Sequence, residues 1–225
     1  MYGDNPIRPP RGVDGKLIEI KEIFSTLQGE GPLAGVPAVF VRLGGCNLAC
    51  TFCDTDFEGF ETLPLGAVLA EVERKAVDET GCRVRSLAVI TGGEPMRQNI
   101  APLTSVLLEM GFQVQIETNG TLMRPLPEAV MIVCSPKNTG RGYMPLREDV
   151  LDRTSALKFL VSAHDERYGE VPELGQRGRG IPIYVQPMDE YDPIRNARNT
   201  ELALTIAARE GYGLSLQLHK MLRIP

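Results

Sequence analysis

Short runs of β-branched and other apolar residues recur along this chain and alternate with stretches of helical period, and that alternation limits the fold more than any other feature. The runs are 38–43 (AVFVRL), 86–90 (SLAVI), 112–117 (FQVQIE), 129–134 (AVMIVC), 156–161 (ALKFLV) and 181–186 (IPIYVQ), each of strand length. Between them, 65–78, 100–110 and 200–210 carry apolar residues at helical spacing, as in Leu65, Val68, Leu69, Val72 and Ala76. Strands joined through helices run parallel, so the pattern predicts an α/β fold built on six parallel strands. Residues 16–24 (KLIEIKEIF) alternate polar and apolar and add a further strand or extended lead-in. Helical signal is thin in 138–153 and in the Gly/Arg-rich 173–180, which predicts loops there and a trimmed, partly open (β/α)6-type barrel.

With 225 residues, 43% hydrophobic and 24% charged, the chain suits one sizeable core, expected over 16–225 behind a flexible Pro/Gly/Arg-rich segment at 1–15. No run approaches the length of a membrane span and the opening residues lack a signal-peptide core, so no membrane association and a cytoplasmic location are expected. Lys and Arg number 24 against 29 Asp and Glu. That balance offers duplex nucleic acid no electrostatic footprint, but it leaves room for a local basic pocket that takes an acidic small molecule.

Nearly every conspicuous polar group follows the end of an expected strand: GGCNLACTFCDT at 44–55, TGGEP at 91–95, TNG at 118–120, SPK at 135–137 and QPMD at 186–189. In parallel α/β folds those loops converge on one rim, so a single shared site is expected there. Cys46-x3-Cys50-x2-Cys53 sets three soft thiolates in one of these loops. Structural zinc normally takes four protein ligands, and neither His164 nor His219 lies near enough in sequence to complete a finger. An iron–sulfur cluster with one iron lacking a protein ligand fits better. Zinc with a remote fourth ligand and three buried free cysteines stay open as alternatives. Cys82 and Cys134 stand outside any spacing pattern and read as ordinary small apolar residues.

The spacing, with aromatic Phe52 before the last cysteine, resembles the signature of the radical S-adenosylmethionine (radical SAM) superfamily, and Thr91-Gly92-Gly93-Glu94-Pro95 resembles its second motif. The resemblance implies a [4Fe-4S] cluster on Cys46, Cys50 and Cys53, with SAM on the remaining iron, and a deoxyadenosyl radical that takes a substrate hydrogen. It also implies SAM contacts at Phe52, Cys53, Asp54, Gly92, Gly93, Glu94, Ser135, Pro136, Lys137, Gln186, Pro187, Met188 and Asp189. No general acid or base is assigned.

Phe24 to Gly31, Arg42, Asp54-Thr55, Glu117 to Gly120 and Gln217 to Lys220 are similar to the 7-carboxy-7-deazaguanine synthase family. That family contracts the ring of 6-carboxy-5,6,7,8-tetrahydropterin, releases ammonia and regenerates SAM. The likeness implies substrate contacts at Leu27, Gln28, Gly29, Glu30, Arg42, Thr91 and the terminal Pro225, and a Mg²⁺ ion at Thr55. A pterin edge suits the amide of Gln28 and the carboxylate of Glu30, and Arg42 suits a carboxylate. Gly29-x-Gly31-x-x-Ala34 also meets a loose dinucleotide pattern, but Pro32 and a following strand stand where a helix should start. His164 reads as solvated, and His219, beside Lys220, as a weaker candidate for the site. An electron donor such as flavodoxin or ferredoxin and a homodimer are further expectations. Rival readings are an activase that installs a glycyl radical on a partner, and a non-catalytic iron–sulfur protein.

Overall fold

The computed structural model describes residues 5–12, 14–138, 142–143 and 145–225. In chain order its strands are β1 (Leu17–Leu27), β2 (Pro37–Leu43), β3 (Glu61–Pro64), β4 (Leu87–Gly92), β5 (Gln113–Thr118), β6 (Met131–Cys134), β7 (Ala156–Val161), β8 (Ile183–Pro187) and β9 (Gly213–Leu214). Its α-helices are α1 (Leu65–Ala76), α2 (Ala101–Glu109), α3 (Glu148–Leu151), α4 (Pro193–Glu210) and α5 (Leu218–Leu222).

All nine strands join one sheet in the order β3-β1-β2-β4-β5-β6-β7-β8-β9. The six expected strands, β2, β4, β5, β6, β7 and β8, are consecutive parallel neighbours. The two-residue β9 extends the run, while β1 and β3 are added antiparallel on the other side. Among the described residues the sheet does not close: β3 and β9 are its edges.

Strand alternation decides what each face carries. In β7, Leu157, Phe159 and Val161 pack into apolar clusters, and in β5 so do Val114 and Ile116. On α1, Val68, Val72 and Ala76 recur every four residues, so one stripe of that helix is buried against the sheet. On α4, Ala203 and Ile206 do the same beside Val161 and Val185. The intervening strand residues, Gln115 and Glu117 in β5 and Lys158 and Leu160 in β7, point to the opposite face, where the site lies.

Four expectations are corrected. The extra strand runs to Leu27 because its second half pairs with β2, Ser25 facing Val39 and Leu27 facing Pro37. Helix α4 starts at Pro193, well before residue 200, because the Asp192 carboxylate accepts the N–H groups of Ile194 and Arg195 at 2.8 and 3.0 Å and so caps the helix. The stretch 138–153 includes one helical turn, α3, with Glu148 and Asp149 at its positive end. Finally, the lead-in expected to be flexible is bound: the Arg8 N–H donates to the Cys46 carbonyl at 2.7 Å and that of Arg11 to the Arg97 carbonyl at 2.7 Å. Residues 1–4 and 13 of that expected segment lie outside the described residues.

Candidate active site

The cysteine loop leaves β2 through Gly44 and Gly45 and is gripped by the turn after β4. Gly93 N–H donates to the Leu43 carbonyl and Glu94 N–H to the Gly45 carbonyl, both at 3.1 Å. The two backbones approach so closely that a Cβ on Gly93 would lie 1.9 Å from the Gly45 oxygen. At Gly92 a Cβ would lie 2.2 Å from the Leu43 oxygen, and its φ of +120° is one that glycine alone adopts readily. The pair of glycines therefore first serves to seat the cysteine loop on the sheet.

Glu94, expected against SAM, is not among the residues that line the cavity. It is fully buried, and its carboxylate accepts from Met96 N–H at 2.9 Å, Thr118 Oγ1 at 2.7 Å and Asn119 N–H at 2.8 Å. Burial pushes its carboxyl above the usual range, against the pull of those three donors. Its work is to tie the β4 turn to the end of β5. Pro136 and Pro187 likewise are not among the lining residues.

The rest of the expected SAM wall does line one cavity of about 580 Å³, together with all three cysteines. Phe52 meets Tyr168 edge-on, ring centres 5.6 Å apart. Lys137 Nζ donates to Ser135 Oγ at 2.8 Å, and Ser215 Oγ donates to Gln186 Oε1 at 2.8 Å. The cysteines are unpaired thiols, Cys46 buried and the other two half-buried. Burial pushes all three up, Cys46 to about 11. Metal must therefore displace protons to bind here, and loading should be easier at higher pH. Among the described residues no three Cys, His, Asp or Glu close around a single ion. A cube that takes one thiolate at each of three corners suits that wider set better than one zinc does.

The expected substrate residues form the other wall: Leu27 at the end of β1, Gln28 to Glu30 after it, Arg42 in β2, Thr91 beside it in β4, Thr55 and Pro225 all line the cavity. Arg42 lies on an interior strand, its Nε donating to Glu22 Oε1 at 2.7 Å and its guanidinium 5.4 Å from the centre of the Phe24 ring. Pro225 reaches the site because Thr26 Oγ1 donates to its carbonyl oxygen at 2.8 Å. Thr55 Oγ1 lies 3.3 Å from Asp54 Oδ1.

A buried ionic network was not foreseen. Lys158, 5% exposed, pairs with Glu30 Oε2 and lies 3.7 Å from Glu117 Oε2. Gln28 Nε2 donates to Glu117 Oε1 at 2.9 Å, and Gln217 Nε2 to Glu30 Oε1 at 2.9 Å. Burial on its own raises the Glu30 carboxyl, but the adjacent Lys158 charge and the hydrogen bonds from Lys158 and Gln217 outweigh it and hold the group at about 2. Lys220 Nζ joins Asp54 Oδ2 at 2.7 Å to Asp189 Oδ2 at 2.9 Å. His219 lies against Gly29, where a Cβ would come within 2.5 Å of its Nδ1, and it lines the cavity. His164 does not. The one signal for Lys158 was a lone charge inside an apolar strand run.

A largely parallel sheet with three thiols lining one cavity at its carboxyl-end rim, their loop clamped by a Gly-Gly-Glu turn, has the build of a radical SAM enzyme. No family model matches the chain. It is 49% identical to 7-carboxy-7-deazaguanine synthase of Rickettsia prowazekii over 224 residues, covering 100% of this chain and 96% of that one. To the enzyme of that name from Rhodospirillum rubrum it is 41% identical with both chains covered in full, and to that of Escherichia coli 32%, covering 91% and 98%. Its fold matches a crystal structure of QueE from Escherichia coli with a TM-score of 0.70 at 28% identity, covering 93% of this chain and 100% of that one. The chain belongs to the 7-carboxy-7-deazaguanine synthase family, lyases of the radical SAM class.

Proposed function

We propose that this chain converts 6-carboxy-5,6,7,8-tetrahydropterin to 7-carboxy-7-deazaguanine with loss of ammonia, supplying 7-deazapurine biosynthesis toward queuosine. The observation that carries this reading is the meeting of Cys46, Cys50 and Cys53 with Arg42, Thr91 and the Leu27 to Glu30 turn around one cavity. A [4Fe-4S] cluster and SAM, when bound, supply the adenosyl radical that removes the substrate hydrogen, with SAM restored at the end. The three thiolates hold the cluster; Phe52, Cys53, Asp54, Gly92, Gly93, Ser135, Lys137, Gln186, Met188 and Asp189 face SAM, with Glu94, Pro136 and Pro187 as their backing.

Arg42 receives the substrate carboxylate through guanidinium nitrogens other than the Nε bound to Glu22. Thr55, with the Asp54 carboxylate next to it, takes part in a Mg²⁺ site that substrate oxygens and water complete. Gln28, Glu30 and Pro225 meet the pterin edge. The run of parallel strands is read as a partial barrel, and a homodimer fits a sheet with two open edges. A flavodoxin or ferredoxin serves as electron donor. Among the described residues no helix is long and apolar enough to cross a membrane, in keeping with a cytoplasmic enzyme.

The test is turnover. Protein reconstituted anaerobically with iron and sulfide, then given SAM, reductant, Mg²⁺ and the carboxypterin, is expected to form the deazapurine, followed by its ultraviolet spectrum. No product from a protein that holds its four irons rejects the substrate assignment. In the same assay Arg42→Ala removes a charge-assisted contact of about 1.5 to 3 kcal/mol, so kcat/KM is expected to fall roughly 10- to 150-fold. A fall confined to a few-fold would place the substrate carboxylate elsewhere.

A further inference from the structure

Residues 5–12 lie along the cysteine loop and are held there at several points. Ile7 bridges Cys46 in parallel register, next to the Arg8 N–H bond to the Cys46 carbonyl. The Arg8 guanidinium pairs with Glu58, Nε to Oε1 at 2.9 Å, and lies 5.1 Å from the centre of the Phe60 ring. Arg97, 2% exposed, donates from Nη1 to the Pro9 carbonyl at 3.3 Å and from Nη2 to the Gly44 carbonyl at 2.9 Å. One buried guanidinium thus grips the lead-in and the start of the cysteine loop together. Arg124 Nη2 closes the far end on the Arg11 carbonyl at 2.6 Å.

At the front of this segment Asn5 lines the cavity itself. Its Nδ2 donates to the Thr55 carbonyl at 3.1 Å, and the same carbonyl accepts the Cys53 thiol at 3.4 Å. A sulfur that ligates iron has lost its proton and can only accept. The Asn5 carboxamide, with two N–H groups and held on the same Thr55 carbonyl, is then the donor beside it.

We propose that residues 5–11 are a built strap of the iron–sulfur site, and that Asn5 is a positioning residue that acts through the Cys53 sulfur to set the reduction potential of the cluster. The proposal rests on the cluster reading of the three cysteines. An N–H donated to a ligand sulfur stabilises the reduced, more electron-rich cluster and so raises its potential. The strap also covers the backbone of Cys46, which limits the access of solvent and reagents to the thiols.

Two full-length variants test it. Asn5→Leu, similar in size and without donors, is expected to bind iron like the parent but to show a lower midpoint potential in an anaerobic titration followed by electron paramagnetic resonance. An unchanged potential overturns the role of Asn5. Arg8→Ala, studied without iron, is expected to let iodoacetamide alkylate Cys46 and Cys53 several-fold faster, mapped by mass spectrometry, with the circular dichroism of the parent retained. Rates equal to the parent's overturn the strap. A parent protein that takes up no iron rejects the cluster reading and the tuning role that depends on it, while alkylation of the metal-free chain still decides the strap.

Discussion

Gly93→Ala is expected to strip the protein of its iron–sulfur site and to lower its stability by about 3 kcal/mol, the upper range for overpacking a tight interior. The added Cβ would stand 1.9 Å from the Gly45 oxygen, 2.3 Å from the Gly45 carbonyl carbon and 2.9 Å from the Cys46 nitrogen. All three are backbone atoms, so no side chain can swing aside. Either the turn after β4 leaves the cysteine loop, breaking the two 3.1 Å hydrogen bonds from Gly93 and Glu94, or the loop shifts and carries Cys46 with it. Both outcomes misplace a thiol that the cluster reading requires. Iron content after reconstitution and the thermal midpoint of the metal-free chain measure the two effects separately. Gly66→Ala is the control: near the start of α1, with nothing within 4 Å of its Cβ, it should leave both readings near the parent's. A Gly93→Ala protein that loads iron normally and melts with the parent would mean that the two loops do not need this approach.

The difference between what could be read from the residues and what could not follows from where each signal resides. The six parallel strands were legible because a strand packed on both faces must be apolar along its length, and runs such as AVFVRL show that without tertiary help. The edge strands β3 and β9, of four and two residues, are too short to carry a period. The cysteine loop was legible because its chemistry needs three thiols at close spacing. The direction of Glu94 was not, because a motif gives residue types and not which neighbour claims a carboxylate; Thr118 and Asn119, 24 and 25 positions away, claim this one. The bound state of residues 5–12 was hidden for the same reason, since Arg97, Arg124 and Glu58 are all remote in sequence. Lys158 and Glu117 were missed because alternation assigns them a face but cannot say whether that face meets water or a cavity. The answer lies in how the sheet carries its rim loops and α5 over that face.

Lys158→Met is expected to destabilise the protein by about 3 to 5 kcal/mol at neutral pH, the range for removing one partner of a buried ion pair. Methionine keeps most of the volume, so the loss is electrostatic. It leaves Glu30 and Glu117 facing each other's network without the cation that pairs with one and lies 3.7 Å from the other. In the parent, Lys158 holds Glu30 down at about 2 against burial, so the contribution of Glu30 is complete above its ordinary value and is lost as pH falls toward 2. Burial works against the charge of Lys158, but the carboxylates of Glu117 and Glu30 outweigh it and raise its pKa; that contribution is complete below the ordinary lysine value and is lost only at strongly alkaline pH. Between those limits the pair is fully formed. Without the lysine, burial dominates at Glu30 and pushes its carboxyl above the ordinary range, so the variant binds a proton on folding at mildly acid pH where the parent does not. Its stability deficit should therefore be largest near pH 7 and shrink as pH falls from 7 toward about 5, whereas a packing defect would cost the same at each pH. Urea unfolding of both proteins at pH 5, 6 and 7 separates these cases: a deficit that stays constant across the series would show that the Lys158 charge does not sustain the network that underlies the Gln28 to Glu30 wall.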